Sequence, residues 1–203
     1  MSSLPASRSD IRRELRGRRR ALSVQQQRVA ARKLAQRLRQ LPALATARHV
    51  ALYWPNDGEI DPRLLARIKP AQQHLYLPVL QAFPALTLRF VRWSPRMRLR
   101  KNRFGIPEPR CGARRPAQSL DVILMPLVGF DAAGNRLGMG GGFYDRTLAR
   151  RQGVAPHKPL LIGIAHVCQQ VGELGVAAWD IPLHLVVTDQ GIIHTRPRCR
   201  PPY

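Results

Sequence analysis

The sequence has 203 residues, and 34 Lys and Arg against 12 Asp and Glu give it a formal net charge of +22. Its hydrophobic content of 44% is typical of a globular core and argues against a disordered basic tail. No apolar run is long enough for a membrane span or a secretory signal, and the three cysteines form no common zinc-binding pattern. We therefore expect a single domain over residues 1–203, located in the reducing cytoplasm.

Two basic helices are predicted in the N-terminal segment 10–41. Residues 10–21 place apolar side chains on one stripe, with arginines between them. Ser23 and Gln26 resemble a capping box, which opens a second helix that Pro42 ends.

The middle of the chain is expected to supply strands. Short apolar or alternating runs predict strands at residues 49–54, 74–80 and 86–93, and a turn at 55–62 precedes a short helix. Residues 94–118 are basic and rich in Gly and Pro, so we expect an irregular loop there.

The C-terminal half contains the most apolar runs. These predict buried strands at 121–130 and 159–166, a helix over 142–152, and a closing hairpin over 184–195. The tail, residues 196–203, is expected to be frayed. Because strands alternate with helices, the sequence predicts a three-layer α/β domain.

The positive charge is concentrated in two segments. Residues 1–50 and 89–115 together carry +20, whereas the rest of the chain carries +2. Nearly all of these cations are arginines, which suit phosphate and carboxylate ligands. Nucleic acid is one partner that such a balance suggests, and a phosphorylated small molecule is another.

Residues 135–146 are the segment with the clearest chemistry. Four glycines lie within five positions: Gly138, Gly140, Gly141 and Gly142. Such a loop can turn its N–H groups toward an anion, and the following helix adds its positive N-terminal end. Arg136 and Arg146 flank the loop, and Asp145 suits Mg²⁺ beside phosphates. A glycine hinge with Asp145 as a surface carboxylate would have the same pattern. No Walker A lysine and no complete dinucleotide fingerprint is present.

The same segment carries a resemblance. The run MPLVGFDAAGNRLGMGGGFYDRTL resembles the signature of the 5-formyltetrahydrofolate cyclo-ligase (methenyltetrahydrofolate synthetase) family. Four further segments resemble that family's landmarks in the same order, namely IRRELR, ALYWPNDGEIDP, FGIPEP and WDIPLHLVVTD. The resemblance covers about residues 10–190.

The resemblance implies a fold and a reaction. The implied fold is a single three-layer αβα domain, Rossmann-like, with a mixed and mostly parallel sheet. The implied reaction is the ATP- and Mg²⁺-dependent cyclisation of 5-formyltetrahydrofolate to 5,10-methenyltetrahydrofolate, with release of ADP and phosphate. A phosphorylated formyl group, an imidate phosphate, is the implied intermediate. An acidic, polyglutamylated folate would match the basic charge.

The resemblance also assigns roles to residues. The catalytic residues would be Arg136, Tyr144 and Asp145. The nucleotide would contact Arg12, Arg16, Arg136, Gly138, Met139, Gly140, Gly141, Gly142, Phe143 and Tyr144. The folate would contact Trp54, Glu59, Phe104 and Phe143. The metal ligands would be Asp145 and Asp180.

Four positions depart from the family pattern, and several assignments have plainer alternatives. Arg12 replaces a lysine, Pro62 a threonine, Phe143 a tyrosine, and Trp179 the histidine before the second acidic position. The N-terminal arginines could instead form a solvated helix face, and Glu59 a turn carboxylate. The aromatic residues assigned to folate could belong to the core.

Two other functions compete with this interpretation. A nucleic-acid-binding protein on a related scaffold would use the two basic segments, although aromatic residues for base stacking make up only 6% of the chain. A sugar-phosphate or coenzyme A enzyme of related fold would use the glycine loop without ATP. The histidines have no metal-ligand spacing.

Overall fold

A computed structural model describes residues 7–81, 84–149, 159–175, 177 and 179–195. The α-helices are α1 (Arg8–Arg20), α2 (Val24–Gln40), α3 (Pro42–Thr46), α4 (Leu65–Ile68) and α5 (Phe143–Ala149). The strands are β1 (His49–Ala51), β2 (His74–Leu80), β3 (Leu88–Trp93), β4 (Leu99–Lys101), β5 (Pro107–Pro109), β6 (Arg114–Arg115), β7 (Val122–Pro126), β8 (Gly129–Phe130), β9 (Arg136–Leu137), β10 (Leu160–Ala165), β11 (Leu185–Thr188) and β12 (Ile192–His194). Within this part of the chain, no helix is long and apolar enough to cross a membrane.

Eight strands form the main sheet, in the order β12-β11-β10-β7-β1-β2-β3-β6. The five strands from β11 to β2 pair in parallel, and β12, β3 and β6 pair antiparallel at the two sides. The prediction of an α/β fold with a mixed, mostly parallel sheet is therefore confirmed.

Alternation along the strands creates an apolar core on each face of the sheet. In β1, Val50 belongs to one buried cluster and Ala51 to the other. Leu34 and Leu38 of α2 cover the first face, and Leu148 of α5 lies on the second. The sheet therefore lies between two layers, as the order of predicted elements implied.

The N-terminal helices begin where the sequence predicts. Gln26 N–H donates to Ser23 Oγ at 3.2 Å, and Ser23 N–H donates to Gln26 Oε1 at 2.7 Å, which completes the predicted capping box. Pro42 ends α2 and begins α3, because a proline is tolerated in the first turn but not in a helix interior.

The predicted strand over 121–130 is interrupted. It ends at Pro126, and β8 then pairs with β9 in a separate hairpin. The break leaves the carbonyl of Leu127 free of the sheet, and this carbonyl accepts hydrogen bonds from Arg19 and Gln169. The long apolar run did not reveal this turn.

The prediction of an irregular loop at 94–118 is wrong, because β4, β5 and β6 lie within it. Glu108 fixes the β4–β5 hairpin against β2, since its Oε1 accepts Leu80 N–H at 3.1 Å and Asn102 Nδ2 at 2.7 Å. The strand predicted at 49–54 is shorter and ends at Ala51. The end of the helix predicted over 142–152 and the tail 196–203 lie outside the described residues.

Candidate functional site

The candidate site lies at the carboxyl ends of the parallel strands. The turn after β1, the segment after β7 and the short 3-10 turn after β10 meet at this edge. Helix α1 packs against the 3-10 turn and directs arginines toward the other two segments. This is the edge at which α/β sheets usually bind ligands.

The glycine loop has the backbone conformation that its composition predicts. Gly140 and Gly142 have φ angles of +94° and +62°, which side chains rarely tolerate. The loop leads directly into α5, whose first turn contains Asp145. Arg146 does not flank the loop as a free clamp, because it donates to the carbonyl oxygens of Leu86 and Gly141.

Arg136 and Asp145 form an ion pair beneath the loop. Arg136 is buried and also donates its Nε–H to Ile181 O at 3.1 Å. Asp180, the second predicted metal ligand, instead accepts hydrogen bonds from Arg8 at 2.8 Å and from Ala177 N–H at 3.0 Å.

If Mg²⁺ binds at this site, a single carboxylate is a more suitable ligand than a cluster of protein side chains. No group of three or more His, Cys, Asp or Glu residues that could hold a metal occurs in the part of the chain that the structure describes. Mg²⁺ is commonly held by one or two carboxylates and completed by phosphate oxygens and water. Asp145, in the first turn after the glycine loop, is the residue that fits this pattern.

The predicted arginine pair of α1 contacts two different segments of the site. Arg12 donates its Nε–H to Gly138 O at 2.8 Å, and its guanidinium lies beside Gly140. Arg16, the other residue of the predicted pair, donates to Asp57 Oδ2 at 2.7 Å instead. Arg8, one turn before Arg12, bonds Asp180 and therefore joins Arg12 on the loop side. Sequence reasoning missed Arg8, although its spacing of four from Arg12 was a usable signal.

Glu59 lies in a tight turn after β1. Asn56 N–H donates to Glu59 Oε2 at 3.0 Å, and Asp57 and Gly58 both have positive φ angles. Burial raises the pKa of Glu59 to about 7, and the charge of Asp57 adds to this, while Arg19 and the Asn56 N–H oppose it. This carboxyl group can therefore change protonation near neutral pH.

Tyr144 connects the two halves of the site. It is partly buried, and its pKa is raised by desolvation and by the nearby charge of Glu59. Tyr144 and Asp145 are consecutive residues of α5, so one helical turn carries both a hydroxyl group within electrostatic reach of Glu59 and the carboxylate that pairs with Arg136. The structure thus brings the predicted folate and metal carboxylates to the same end of α5.

The aromatic residues divide into two groups. Phe104 is 52% exposed and meets Phe143 edge-on, with ring centroids 6.1 Å apart. Trp54 packs instead on Trp93 at 6.2 Å and lies under the guanidinium of Arg63. Phe104 and Phe143 therefore provide an accessible apolar surface, whereas Trp54 is packed against the core.

Comparisons with known proteins agree with these features. The model of the 5-formyltetrahydrofolate cyclo-ligase family matches residues 5–189. The 5-formyltetrahydrofolate cyclo-ligase of Escherichia coli strain K12 is 44% identical over 177 residues, which cover 86% of this chain and 96% of that protein. The Haemophilus influenzae protein of the same name is 41% identical over 180 residues, with 87% and 94% covered.

Solved structures share the architecture. The 5,10-methenyltetrahydrofolate synthetase of Aquifex aeolicus is 32% identical and superposes with a TM-score of 0.81, covering 97% of this chain and 96% of that chain. The synthetase of Mycoplasma pneumoniae has a TM-score of 0.71 over 91% and 99% of the two chains. At 24% identity, the second likeness concerns the fold alone.

Proposed function

The chain belongs to the 5-formyltetrahydrofolate cyclo-ligase family and is an enzyme of that kind, and from this premise we propose its reaction in detail. It converts 5-formyltetrahydrofolate to 5,10-methenyltetrahydrofolate, with ATP as co-substrate and Mg²⁺ as cofactor, in the cytoplasm. The observation that supports this best is the first turn of α5, where Tyr144 lies within electrostatic reach of Glu59 and Asp145 pairs with Arg136. Reactants held at these two positions would be adjacent.

The nucleotide half of the proposed site consists of the glycine loop and the arginines around it. The loop N–H groups and the N-terminal end of α5 would bind phosphate oxygens, and Arg12 and Arg136 would add positive charge. Arg16 would reach the nucleotide only by leaving Asp57. Asp145 would hold Mg²⁺, which supplies further neutralisation of the phosphate charge.

The folate half consists of Glu59 and the exposed aromatic surface. The Glu59 carboxylate would accept hydrogen bonds from pterin N–H groups, and Phe104 and Phe143 would pack on the folate rings. Phe143 has no hydroxyl group, so among the α5 aromatics Tyr144 alone could donate a hydrogen bond.

The proposed chemistry needs positioning more than covalent help from the protein. The formyl oxygen attacks the γ-phosphorus atom, the bond to the β–γ bridging oxygen breaks, and ADP leaves. N10 then attacks the activated formyl carbon and loses its proton, and the C–O bond breaks to release phosphate. Arg12 and Arg136 would stabilise the charge on the transferred group, and Glu59 would orient the pterin.

A cyclisation assay tests the proposal. Purified protein should convert 5-formyltetrahydrofolate to the methenyl product, seen as a rise in near-ultraviolet absorbance, only when ATP and Mg²⁺ are both present. One ADP and one phosphate should accompany each product. Turnover without ATP, or none at saturating substrates, would refute it.

A matched pair of variants tests the metal assignment. Asp145→Asn should reduce kcat by about 100-fold or more, because it removes the proposed Mg²⁺ ligand. Asp10→Asn is the control, since Asp10 also lies in the first turn of a helix beside an arginine but is solvent-exposed. Equal activities of the two variants would refute the assignment of Asp145 as a metal ligand.

A further inference from the structure

Arg19 is the largest fully buried side chain among the described residues. Its Nε–H donates to Asp57 O at 2.8 Å, and Nη1 donates to Leu127 O at 3.0 Å. Its Nη2 donates to Asp57 Oδ2 at 2.9 Å and lies 3.9 Å from Glu59 Oε1. The same nitrogen lies 4.0 Å from the sulfur of Met139.

A buried guanidinium is costly unless its donors are satisfied, so this arrangement needs a reason. The planar fork of arginine reaches two backbone carbonyls and one carboxylate at once, and a lysine could not do this. Arg20, its neighbour, also pairs with Asp57 but is more than half exposed. Attaching α1 to the turn would not by itself require burial of a cation.

The three segments that Arg19 contacts all belong to the candidate site. The Asp57 turn carries Glu59, and Met139 lies inside the glycine loop. Leu127 follows β7 at the carboxyl edge of the sheet. Arg19 itself extends from α1, the helix whose Arg12 bonds the glycine loop. One side chain therefore contacts segments that belong to both halves of the site.

We propose that Arg19 is a positioning residue for folate binding, which holds the Glu59 carboxylate in place and keeps it charged for the pterin. This inference rests on the proposed function. Arg19 does not touch the reacting atoms. It acts through the Asp57–Glu59 turn, and Asp57 compensates its charge so that Glu59 remains available for the ligand.

The charged and titratable groups around Glu59 come from three parts of the chain. Arg19 approaches from α1, Tyr53 and Asp57 belong to the segment after β1 that carries Glu59 itself, and Tyr144 lies on α5. Arg19 is the cation among the interactions that set the charge of Glu59. Removal of Arg19 should therefore favour the neutral carboxyl group, which donates a proton where the carboxylate would accept.

Steady-state kinetics of Arg19→Gln and Arg19→Lys provide the test. We expect Arg19→Gln to raise the KM for 5-formyltetrahydrofolate by about tenfold or more, with the KM for ATP changed less than about threefold. The pH at which kcat/KM for the folate is half-maximal should rise by at least about half a unit. Arg19→Lys retains the charge, so its pH midpoint should equal that of wild type. Its KM for 5-formyltetrahydrofolate should lie between the values of wild type and Arg19→Gln.

Arg20→Gln is the matched control, because it also removes an arginine from Asp57 but at the surface. Both KM values of this control should stay within about twofold of wild type. If both KM values of Arg19→Gln rise together with an unchanged pH midpoint, Arg19 is structural and the inference fails. It also fails if the folate KM does not change.

If Arg19→Gln folds poorly, a variant of the residue on the other side of the contact provides the test. Asp57→Asn removes the carboxylate partner of Arg19, and its folate KM should rise more than its ATP KM. Direct calorimetric binding of 5-formyltetrahydrofolate should show the same loss of affinity. Wild-type protein that neither binds nor converts the folate would refute the proposed function itself, and this inference with it.

Discussion

Glu59 is a largely buried carboxyl group whose ionisation works against the folded state. Its pKa is about 7 in the folded protein and about 4.5 in the unfolded chain, so folding favours the protonated form. The free energy of unfolding should therefore fall as pH rises from about 4.5 to 7, and then level off. A charged side chain that binds the folate at this position would thus lower the stability of the folded protein.

The substitution Glu59→Gln should separate these two roles. It keeps an oxygen for the Asn56 N–H and removes the buried charge. Its stability relative to wild type should be about 1–3 kcal/mol greater at pH 8 than at pH 5. Its kcat/KM for the folate should fall. Urea unfolding of both proteins at the two pH values measures the difference, and an equal difference at both values would contradict the burial argument.

Individual residues of the site were predictable to different degrees. Glu59, Asp145 and the glycines stand in a motif whose spacing is visible in the sequence. The sequence does not single out Arg19, because Arg18, Arg19 and Arg20 are identical neighbours on a basic helix. Only the packing of α1 against the Asp57 turn distinguishes them, and that contact joins residues 38 positions apart.

The glycine loop is the element on which the nucleotide half of the site depends. Gly142→Ala should raise the KM for ATP by about fivefold or more, because an alanine at a φ of +62° is strained by roughly 1–2 kcal/mol and displaces Arg146. Gly172→Ala is the control, since its backbone is unstrained and no atom lies within 4 Å of the added carbon. Parallel changes in the two variants would argue against a special loop conformation.

At the level of elements, local patterns predicted the helices better than the connections. The capping box and the apolar stripes placed α1 and α2 within two residues of their observed ends. The β4–β5 hairpin was missed because its pairing depends on Glu108, which reaches across to the backbone of β2. Such a tertiary contact leaves no periodic signal in a segment that contains prolines at both ends of β5.

The whole molecule should attract its substrates through its field. Both ATP and the folate are anions, and the protein carries +22. We expect kcat/KM for each substrate to fall several-fold between about 0.02 and 0.2 M KCl, because screening shortens the reach of the charge. Titrations at constant pH measure this, with kcat as the internal control. If kcat/KM does not depend on salt, the positive charge does not serve to attract the substrates. Tight, salt-sensitive binding of RNA would then show what the charge is for.

The arginines of β6 have a consequence for how copies of this protein behave toward one another. β6 has only two residues, pairs with β3, and ends the main sheet on that side. An outer strand with unpaired backbone groups can template the addition of a strand from another molecule. Here the approaching chain would meet Arg114 and Arg115 instead of a flat apolar ribbon. The sheet margin therefore resists aggregation, and part of the basic charge protects solubility when the protein is concentrated.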